Sequence, residues 1–386
     1  MDISTKCVHG NGKYADNTGA VSVPIYQSAT FMHPGVNEST GYDYSRVQNP
    51  TRAHLERTVA ALEEGVDALA FASGMAAETV LMELFAPGDH IVASDDLYGG
   101  TPRLFEYISA KNGLEFTYLD TGDLGQLEAA IRPNTKAVFV ETPTNPMMQI
   151  TDLAAVAEIT RSRGILLIVD NTFLTPYLQR PLTLGADIVI HSGTKYLGGH
   201  NDTLAGFLVV GRDDLTEQLR FLYKTTGACL SPFDSWLMLR GLKTLAVRMR
   251  QQEASSHQIA RWLRDQPMVR TVYYCGLEDH PGYAVNRKQS DGAGAMISFR
   301  VDSPETAVRA LERIRLISYA ESLGGVESLM TYPYLQTHAD VPDEIRRRLG
   351  IDACLLRLSV GLEDAEDLIA DLSCALRVQE NAECKV

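Results

Sequence analysis

A lysine beside two hydroxyl groups and two glycines is the most informative feature of the sequence. Segment 187–202 reads DIVIHSGTKYLGGHND and places Lys195 just beyond an apolar, strand-like run. Ser192 and Thr194 lie beside the lysine, and Gly198-Gly199 follow it. Ligands of open α/β sheets bind at the carboxyl ends of the strands, so Lys195 is a candidate for a ligand site. A solvated lysine in a turn would have the same local sequence, because lysine side chains are usually exposed.

An aspartate ends a second apolar strand. Segment 165–173, ILLIVDNTF, places Asp170 where a buried carboxylate needs a partner, although it could instead cap a helix. Taken together, Asp170 and Lys195 have the form expected of a pyridoxal 5'-phosphate (PLP) site. Such a site needs a lysine amine that bonds to the cofactor and a carboxylate that keeps the pyridine nitrogen protonated. The pair therefore predicts PLP as the cofactor.

A third segment is suited to bind the phosphate group of such a cofactor. Residues 71–77, FASGMAA, read as a strand, a turn at Ser73-Gly74 and a helix that begins near Met75. Backbone N–H groups at a helix start, with a glycine that permits close approach, form an anion site. Ser192 and Thr194 would add hydroxyl donors. An ordinary strand-to-helix turn has the same pattern, so this segment is informative only in combination with the other two.

Strands and helices alternate around these segments, which predicts an α/β fold. Apolar runs of strand length lie at 68–72, 90–94, 114–119, 136–141, 165–170, 187–192 and 205–210. Amphipathic segments such as 75–85, 123–131 and 152–163 separate them. Strands that are apolar on both faces, with helices between them, imply crossover connections and a mostly parallel sheet that is covered on both sides.

The rest of the chain predicts an N-terminal arm and a second domain. Residues 1–50 show little periodicity and are expected to form an extended arm. A long helical stretch is expected from Asp234 to about residue 265, with Ser231 or Asp234 as the N-cap. After it, strands at 293–301 and 353–359 and helices near 303–314 and 364–377 suit a smaller α+β domain. We therefore predict a PLP-binding domain over 51–250 and a C-terminal domain over 251–386.

Composition excludes several classes of protein. The 386 residues include 35 Lys and Arg against 49 Asp and Glu, and a net charge of −14 argues against a general nucleic-acid binder. No apolar run approaches the ~18 residues of a membrane span, and no signal peptide precedes the fold, so we expect a cytoplasmic protein. Six cysteines without a CxxC pair, and no complete set of ligands, predict no metal site.

Eight segments, in order along nearly the whole chain, resemble the trans-sulfuration (Cys/Met metabolism) family of PLP enzymes. They are YSRVQNPTR (44–52), FASGMAA (71–77), DDLYGGTPRLF (95–105), ETPTNP (141–146), VDNTF (169–173), HSGTKYLGGHND (191–202), AESLGGVESL (320–329) and RLSVGLED (357–364). The family includes cystathionine γ-synthase, the cystathionine γ- and β-lyases, methionine γ-lyase and O-acetylhomoserine sulfhydrylase. The resemblance implies a fold-type I, aspartate aminotransferase-like enzyme and a homotetramer built as a dimer of dimers with shared active sites.

The resemblance also implies roles for individual residues. Lys195 would carry the cofactor, and Tyr98 would stack on it and assist proton transfer; these two are the catalytic residues. The cofactor-binding residues would be Tyr44, Arg46, Gly74, Met75, Tyr98, Asp170, Thr172, Ser192, Thr194 and Lys195, of which Tyr44 and Arg46 would reach the phosphate site of the neighbouring subunit. The substrate's α-carboxylate would be bound by Asn145, Ser322 and Arg357, and Arg103 and Glu321 would border the substrate's distal end.

Within the family, the sequence favours γ-replacement on an activated homoserine ester, which yields cystathionine or homocysteine. Residues 99–101, Gly-Gly-Thr, follow Tyr98 where methionine γ-lyases usually carry a cysteine, and this disfavours that activity. Arg103 and Glu321 are polar residues of the kind that the γ-synthase and cystathionine lyase branches use. Cystathionine γ- or β-lyase activity is the alternative, and a PLP aminotransferase or a non-catalytic PLP carrier are more remote ones.

Overall fold

The structure is a computed structural model that describes residues 1–12, 18–339 and 341–377. These residues contain twelve strands and fourteen α-helices. The strands are β1 (Asp67–Phe71), β2 (His90–Ser94), β3 (Glu115–Leu119), β4 (Thr135–Glu141), β5 (Leu166–Asp170), β6 (Ile188–Ser192), β7 (Gly206–Val210), β8 (Val269–Tyr273), β9 (Met296–Val301), β10 (Ser318–Tyr319), β11 (Leu329–Thr331) and β12 (Leu355–Ser359). The helices are α1 (Ile3–His9), α2 (Pro50–Glu63), α3 (Gly74–Met82), α4 (Gly100–Leu104), α5 (Leu124–Ala130), α6 (Leu153–Ser162), α7 (Thr175–Leu178), α8 (Asp213–Thr226), α9 (Pro232–Leu242), α10 (Leu245–Arg264), α11 (Tyr283–Gln289), α12 (Pro304–Arg313), α13 (Asp343–Leu349) and α14 (Ala365–Leu376). None of these helices is both long and apolar enough to cross a membrane.

The larger sheet contains the strands that the apolar runs predicted. Its order is β1-β7-β6-β5-β4-β2-β3; the strands β3, β2, β4, β5 and β6 are parallel, and β7 is antiparallel to β6 and β1. Each of the seven predicted strands lies within one residue of an observed strand, so the mostly parallel α/β sheet is confirmed. The prediction succeeded because these strands are covered on both faces and read as continuous apolar runs; all five residues of β2 are buried.

Strand register brings three charged residues to one edge of the larger sheet. Glu141 lies opposite Asp170 in the pairing of β4 with β5, and Asp170 lies opposite Ile190 in the pairing of β5 with β6. Lys195 follows β6 in a turn, in which the N–H of Gly199 donates to the Lys195 carbonyl at 2.8 Å. The carboxyl ends of parallel strands meet at the same edge, so this edge collects Glu141, Asp170 and Lys195.

The smaller sheet, in the order β10-β11-β12-β9-β8, supplies a second wall. On its central strand, β12, Arg357 lies opposite Thr331 of β11 and Ser298 of β9. Helices α12 and α14 pack together, and α14 also contacts α10. The strands predicted at 293–301 and 353–359 correspond to β9 and β12. The sequence did not predict β10 and β11, which are only two and three residues long, or β8, which is partly exposed.

The stretch predicted to be helical from Asp234 to about residue 265 is helical but is interrupted once. Two helices, α9 and α10, meet at Lys243-Thr244. The predicted start is right, since the Ser231 hydroxyl oxygen caps α9 by accepting from the Asp234 N–H at 3.0 Å. Helical periodicity continues across the junction, so the pattern of apolar residues alone does not indicate the break.

The helix break allows α9 and α10 to hold the turn that follows β6. A Cβ atom at Gly241 of α9 would overlap the carbonyl oxygen of Gly198, so helix and turn are in direct backbone contact. Arg248 of α10, which is almost fully buried, donates from Nη1 to the Tyr196 carbonyl at 2.7 Å and from Nη2 to the Gly241 carbonyl at 2.9 Å. The turn that carries Lys195 is therefore fixed from both helices.

The prediction of an extended arm over residues 1–50 is wrong at its start, because α1 lies there. The Asp2 carboxylate caps this helix by accepting from the Ser4 N–H at 2.9 Å. From residue 18 to the start of α2 the described arm has no helix, and its only β-bridge joins Thr30 to Tyr44. The predicted domain boundary at residue 250 falls inside α10, so the division into domains stays a prediction.

Replacement of Gly206 by alanine should destabilise the fold. Gly206 begins β7 beside the start of α3, and an added Cβ would overlap the carbonyl group of Ser73 and lie 2.7 Å from the Gly74 nitrogen. Because the atoms it meets belong to the backbone, overpacking of this kind costs about 1–3 kcal/mol. We expect Gly206→Ala to lower the free energy of unfolding by that amount in urea denaturation.

Gly211→Ala is the matched control for this prediction. Gly211 directly follows the same strand, but the nearest atom to an added Cβ, Cδ2 of Leu182, is 3.6 Å away. Its free energy of unfolding should change by less than about 0.5 kcal/mol. Equal losses in the two variants would contradict the importance of the close approach at Gly206.

Candidate active site

One cavity of about 440 Å³ collects the predicted site residues other than Tyr44 and Arg46. It lies at the carboxyl ends of β4, β5 and β6, between the larger sheet and the smaller one. The predicted residues that line it are Gly74, Met75, Tyr98, Arg103, Asn145, Asp170, Thr172, Ser192, Thr194, Lys195, Glu321, Ser322 and Arg357. The fold thus brings residues from distant parts of the chain into one cavity.

The Lys195 amine lies in this cavity and is partly buried. Its Nζ donates a hydrogen bond to the Ser322 hydroxyl oxygen at 3.0 Å. Burial, followed by the positive charge of Arg357, lowers the pKa of Lys195 to about 8, although Glu321 acts in the opposite direction. An amine with this pKa has an appreciable uncharged fraction near neutral pH, and only the uncharged amine accepts a proton or acts as a nucleophile.

The Asp170 carboxylate stands at the end of β5 and is held by the next turn. Its Oδ1 accepts from the Thr172 N–H at 2.8 Å, and the Thr172 hydroxyl oxygen accepts from the Ser192 N–H at 2.9 Å. Burial raises the pKa of Asp170, while the hydrogen bonds from Thr172 oppose that shift. A buried carboxylate of this kind is best stabilised by a cationic partner placed in the cavity.

The start of α3 forms the end of the cavity that suits an anion. The Ser73 side chain caps the helix by accepting from the Ala76 N–H at 3.1 Å. Gly74 packs against Ser192, since an added Cβ would lie 3.1 Å from the Ser192 Cβ. Ser192 and Thr194 line the same space and carry hydroxyl groups. Free amide N–H groups, the positive end of the helix dipole and two hydroxyls together favour a phosphate group.

Arg357 reaches into the cavity from β12, with its side chain almost fully buried. Its Nη1 donates to the Asn145 side-chain oxygen at 2.8 Å, and its Nη2 donates to the Ser322 carbonyl and the Thr331 hydroxyl, both at 3.0 Å. Its Nε has no partner among the described residues. A buried guanidinium group with an unused donor is suited to bind a carboxylate ligand.

Two residues of opposite charge, Arg103 and Glu321, line the cavity together with Gln336 and Thr337. Arg103 lies in α4, just after Tyr98, and Glu321 precedes Ser322. Ser322 has a φ of 86°, a conformation that is uncommon for residues other than glycine. This conformation accompanies its two contacts, because its hydroxyl accepts from Lys195 and its carbonyl accepts from Arg357.

Tyr44 and Arg46 are not brought into the cavity of their own chain. Arg46 donates to the Lys224 carbonyl, and its guanidinium carbon lies 5.5 Å from the centre of the Tyr44 ring. The Tyr44 side chain is 46% exposed. Both residues therefore lie on the surface of the single chain.

Sequence reasoning missed two carboxyl groups of the cavity, Glu78 and Glu141. Glu141 ends β4 in the same way that Asp170 ends β5, so the signal that selected Asp170 applies to it equally. Glu78 lies four residues after Gly74 and hence on the same face of α3. Ser73, Phe173, Leu204, Gln336 and Thr337 also line the cavity and were not predicted.

A buried histidine, His338, holds the loop that carries Tyr98. Its Nδ1 accepts from the Thr337 hydroxyl at 2.9 Å, and its Nε2 donates to the Leu97 carbonyl at 3.3 Å. Burial, followed by the charge of Arg357, lowers the pKa of His338 from 6.5 to about 4. The ring is therefore neutral at physiological pH and links the smaller sheet's loops to the wall beside Tyr98.

The sequence and the fold are similar to those of known proteins. A family model described as Cys/Met metabolism PLP-dependent enzyme matches residues 4–377. A cystathionine gamma-synthase/O-acetylhomoserine (thiol)-lyase of Bacillus subtilis (strain 168) is 51% identical over 381 residues, which is 98% of either chain. A cystathionine gamma-lyase of the same strain is 50% identical over 376 residues, 97% of this chain and 99% of the relative. A crystal structure of cystathionine gamma-lyase from Lactobacillus plantarum, complexed with L-serine, matches with a TM-score of 0.94 and 44% identity, covering 97% of this chain and 98% of that chain.

Acidification should destabilise the chain through His338. The unfolded chain binds more protons than the folded chain between about pH 4 and 6.5, so stability falls as the pH falls through that window. One histidine with this pKa shift accounts for a loss of about 2 kcal/mol between pH 7 and pH 5. We expect His338→Gln to remove that part of the pH dependence in urea unfolding measured at both pH values.

His33→Asn serves as the control, because the His33 side chain is 54% exposed. It should leave the difference in stability between pH 7 and pH 5 unchanged. A wild-type slope retained in His338→Gln would show that other groups cause the acid sensitivity.

Proposed function

Because the chain belongs to the Cys/Met metabolism family of PLP-dependent enzymes, we propose that it catalyses γ-replacement on an activated homoserine ester. In this reaction a thiol sulfur replaces the ester oxygen on the γ-carbon and the carboxylic acid leaves. Cysteine would give cystathionine and sulfide would give homocysteine. The observation that carries the proposal is the meeting of Lys195, Asp170 and Arg357 in one cavity. The family resemblance and the cofactor predicted from the sequence are confirmed.

The residues of the cavity fit PLP. The buried Asp170 carboxylate matches the protonated pyridine nitrogen, and the Lys195 amine matches the aldehyde group. The start of α3 at Gly74, with the hydroxyls of Ser192 and Thr194, suits the phosphate. Met75, Thr172 and Tyr98 line the same space, and we assign the Tyr98 ring to the face of the cofactor.

The chain's own residues bind the substrate and move its protons. Arg357, supported by Asn145, binds the α-carboxylate through its unused Nε and orients the Cα–H bond. Lys195 Nζ, uncharged to an appreciable extent and held by the Ser322 hydroxyl, accepts the proton from Cα. Tyr98 stands at the wall to assist proton transfer. Bound PLP supplies the electron sink that stabilises negative charge at Cα.

The distal part of the substrate would lie between Arg103 and Glu321. Arg103 suits the carboxylate of a succinyl ester or the distal carboxylate of cystathionine. Glu321 suits an ammonium group. Both side chains line the cavity, which supports a substrate with a polar distal end.

Cystathionine cleavage is the second candidate, and the opposite charges of Arg103 and Glu321 favour it. A zwitterionic distal amino acid presents one carboxylate and one ammonium group, which matches this pair of side chains. A γ-lyase and a γ-synthase are similar to the chain to the same degree, so sequence identity does not distinguish the two reactions. Substrate and product analysis must do so.

We also propose that the active unit is a dimer within a homotetramer. Tyr44 and Arg46 lie outside their own cavity, on an arm with the exposed apolar residues Met32 and Val36. An arm of this kind is suited to a neighbouring subunit, where Tyr44 and Arg46 would contact the cofactor's phosphate.

Product analysis tests the proposed reaction. With O-acetyl- or O-succinylhomoserine and cysteine, we expect cystathionine and an equal amount of acetate or succinate. Lys195→Ala should lower this rate by roughly 10²–10⁴-fold, because the amine is the proton acceptor. Lys111→Ala, which removes an exposed lysine, should have no effect.

The competing outcome is equally measurable. If the enzyme released ammonia and a keto acid from cystathionine faster than it formed cystathionine from either ester, γ-replacement would be overturned in favour of a lyase. Transfer of the amino group to a keto acid would point to an aminotransferase instead.

Hybrid dimers test the shared site. In an equal mixture of Arg46→Ala and Lys195→Ala chains, half of randomly assembled dimers are hybrids, and each hybrid has one site with both native residues. We expect about a quarter of the wild-type activity to return, whereas neither variant alone should reach it. Absence of rescue in hybrids that are shown to form by differential tagging would assign Arg46 to its own subunit.

A further inference from the structure

A buried glutamate, Glu78, lines the cavity and has no part in the reaction proposed above. Its side chain is 3% exposed and projects from α3 one turn after Gly74. Its Oε1 accepts from the Thr101 hydroxyl at 3.2 Å, and its Oε2 has no partner among the described residues. A carboxyl oxygen that is buried without a partner is costly if it carries negative charge.

Two more carboxyl groups share this wall of the cavity. Glu141 and Asp170 lie opposite each other at the ends of β4 and β5, and Asp170 repels a negative charge on both Glu78 and Glu141. Asp96, in the loop after β2, adds a weaker repulsion to Glu141. The other titratable groups that line the cavity are Tyr98, Arg103, Lys195, Glu321 and Arg357. Three adjacent buried carboxylates cannot all be ionised at low cost.

The hydrogen-bond donors decide which carboxyl groups keep their protons. Asp170 accepts from the Thr172 N–H at 2.8 Å and is also stabilised by the Thr172 hydroxyl. Glu141 accepts from the Tyr98 N–H at 2.9 Å, yet burial and the negative charge of Asp170 raise its pKa well above the usual value, so it is neutral. Among the described residues Glu78 has only one donor, a hydroxyl at a longer distance. Asp170, with two hydrogen bonds from Thr172, is therefore the group that carries the negative charge most readily, and Glu78 and Glu141 keep their protons.

We propose that Glu78 is a positioning residue that stays a neutral carboxylic acid in the resting enzyme and leaves Asp170 as the anion beside the cofactor's ring nitrogen. The proposal rests on the cofactor site proposed above. The neutral group keeps the hydrogen bond to Thr101, one turn after Tyr98 in the chain, and so fixes the segment that carries the Tyr98 ring. Its free Oε2–H is a donor toward the cavity.

The charge environment of Glu78 agrees with this geometry. Burial, and then the negative charge of Asp170, raises the pKa of Glu78 to about 8, and only the hydrogen bond from Thr101 opposes the shift. The group is thus protonated at neutral pH and loses its proton under mildly alkaline conditions. Ionisation would place a second anion next to Asp170 and change the electrostatic field on the cofactor.

Infrared spectroscopy of the PLP-loaded enzyme tests the proposal, because the carbonyl band of a protonated carboxylic acid is distinct from carboxylate bands. Glu141 and Asp96 also contribute to this band, since burial raises the pKa of both groups, so we expect wild type to show a band at neutral pH with one component that disappears under mildly alkaline conditions. Glu78→Gln should lose that component at every pH and keep the rest of the band. Glu83→Gln, which alters an exposed glutamate at the end of the same helix, should retain that component and its titration midpoint.

The visible absorption of the bound cofactor separates the failure of this inference from the failure of the cofactor site. If Glu78→Gln binds PLP on Lys195 and still shows the full carbonyl band, the proton is on another carboxyl group and the proposal is wrong. Absence of that component in wild type at neutral pH would overturn it equally. Loss of visible absorption in wild type would instead refute the site itself.

A second variant decides the question if Glu78→Gln does not fold. Thr101→Val removes the only donor that stabilises the ionised form of Glu78 while preserving the shape of the side chain. The same component of the carbonyl band should then persist to higher pH, with its midpoint raised by about half to one pH unit. An unchanged or lowered midpoint would contradict the proposed location of the proton.

Discussion

The hydrogen bond between Arg357 and Asn145 joins the two sheets of the molecule at the centre of the candidate site. Arg357 comes from the smaller sheet, and Asn145 follows β4 of the larger one, so their 2.8 Å contact sets the width of the cavity. Burying a guanidinium group is expensive unless its donors are used. Two more N–H donors of Arg357 bind the Ser322 carbonyl and the Thr331 hydroxyl. The Nε–H has no partner among the described residues, so it is available to bind a carboxylate.

The same buried charge has effects on the groups around it. Arg357 lowers the proton affinity of Lys195 and of His338. One cation thus favours an uncharged amine in the cavity and a neutral imidazole behind its wall. Charge balance in the site is therefore a collective property, and the role of any one group depends on which of its neighbours is ionised.

Most of the large sheet, and the meeting of Asp170 and Lys195 at one of its edges, were predictable from the sequence, because both follow from short-range patterns. Strands buried on both faces read as apolar runs, and Asp170 and Lys195 stand immediately after two of them. The break at Lys243-Thr244 was not predictable, since it depends on tertiary contact with the turn after β6. Glu78 was missed because a glutamate in a helix is normally solvated, and only the packing of α3 against the cavity buries it.

Helices α9 and α10 hold the turn that carries Lys195, and these contacts limit which substitutions the protein tolerates. Gly241 has no room for a side chain, and Arg248 donates two hydrogen bonds to backbone carbonyl groups. Substitution of either residue would therefore displace the Lys195 amine. The distal wall with Arg103 and Gln336 takes no part in these contacts. New substrate preferences would therefore arise with the least loss of stability by substitution of residues on this distal wall. The turn that carries Lys195 and its two supporting helices would change little, because a substitution in one of them disturbs the others.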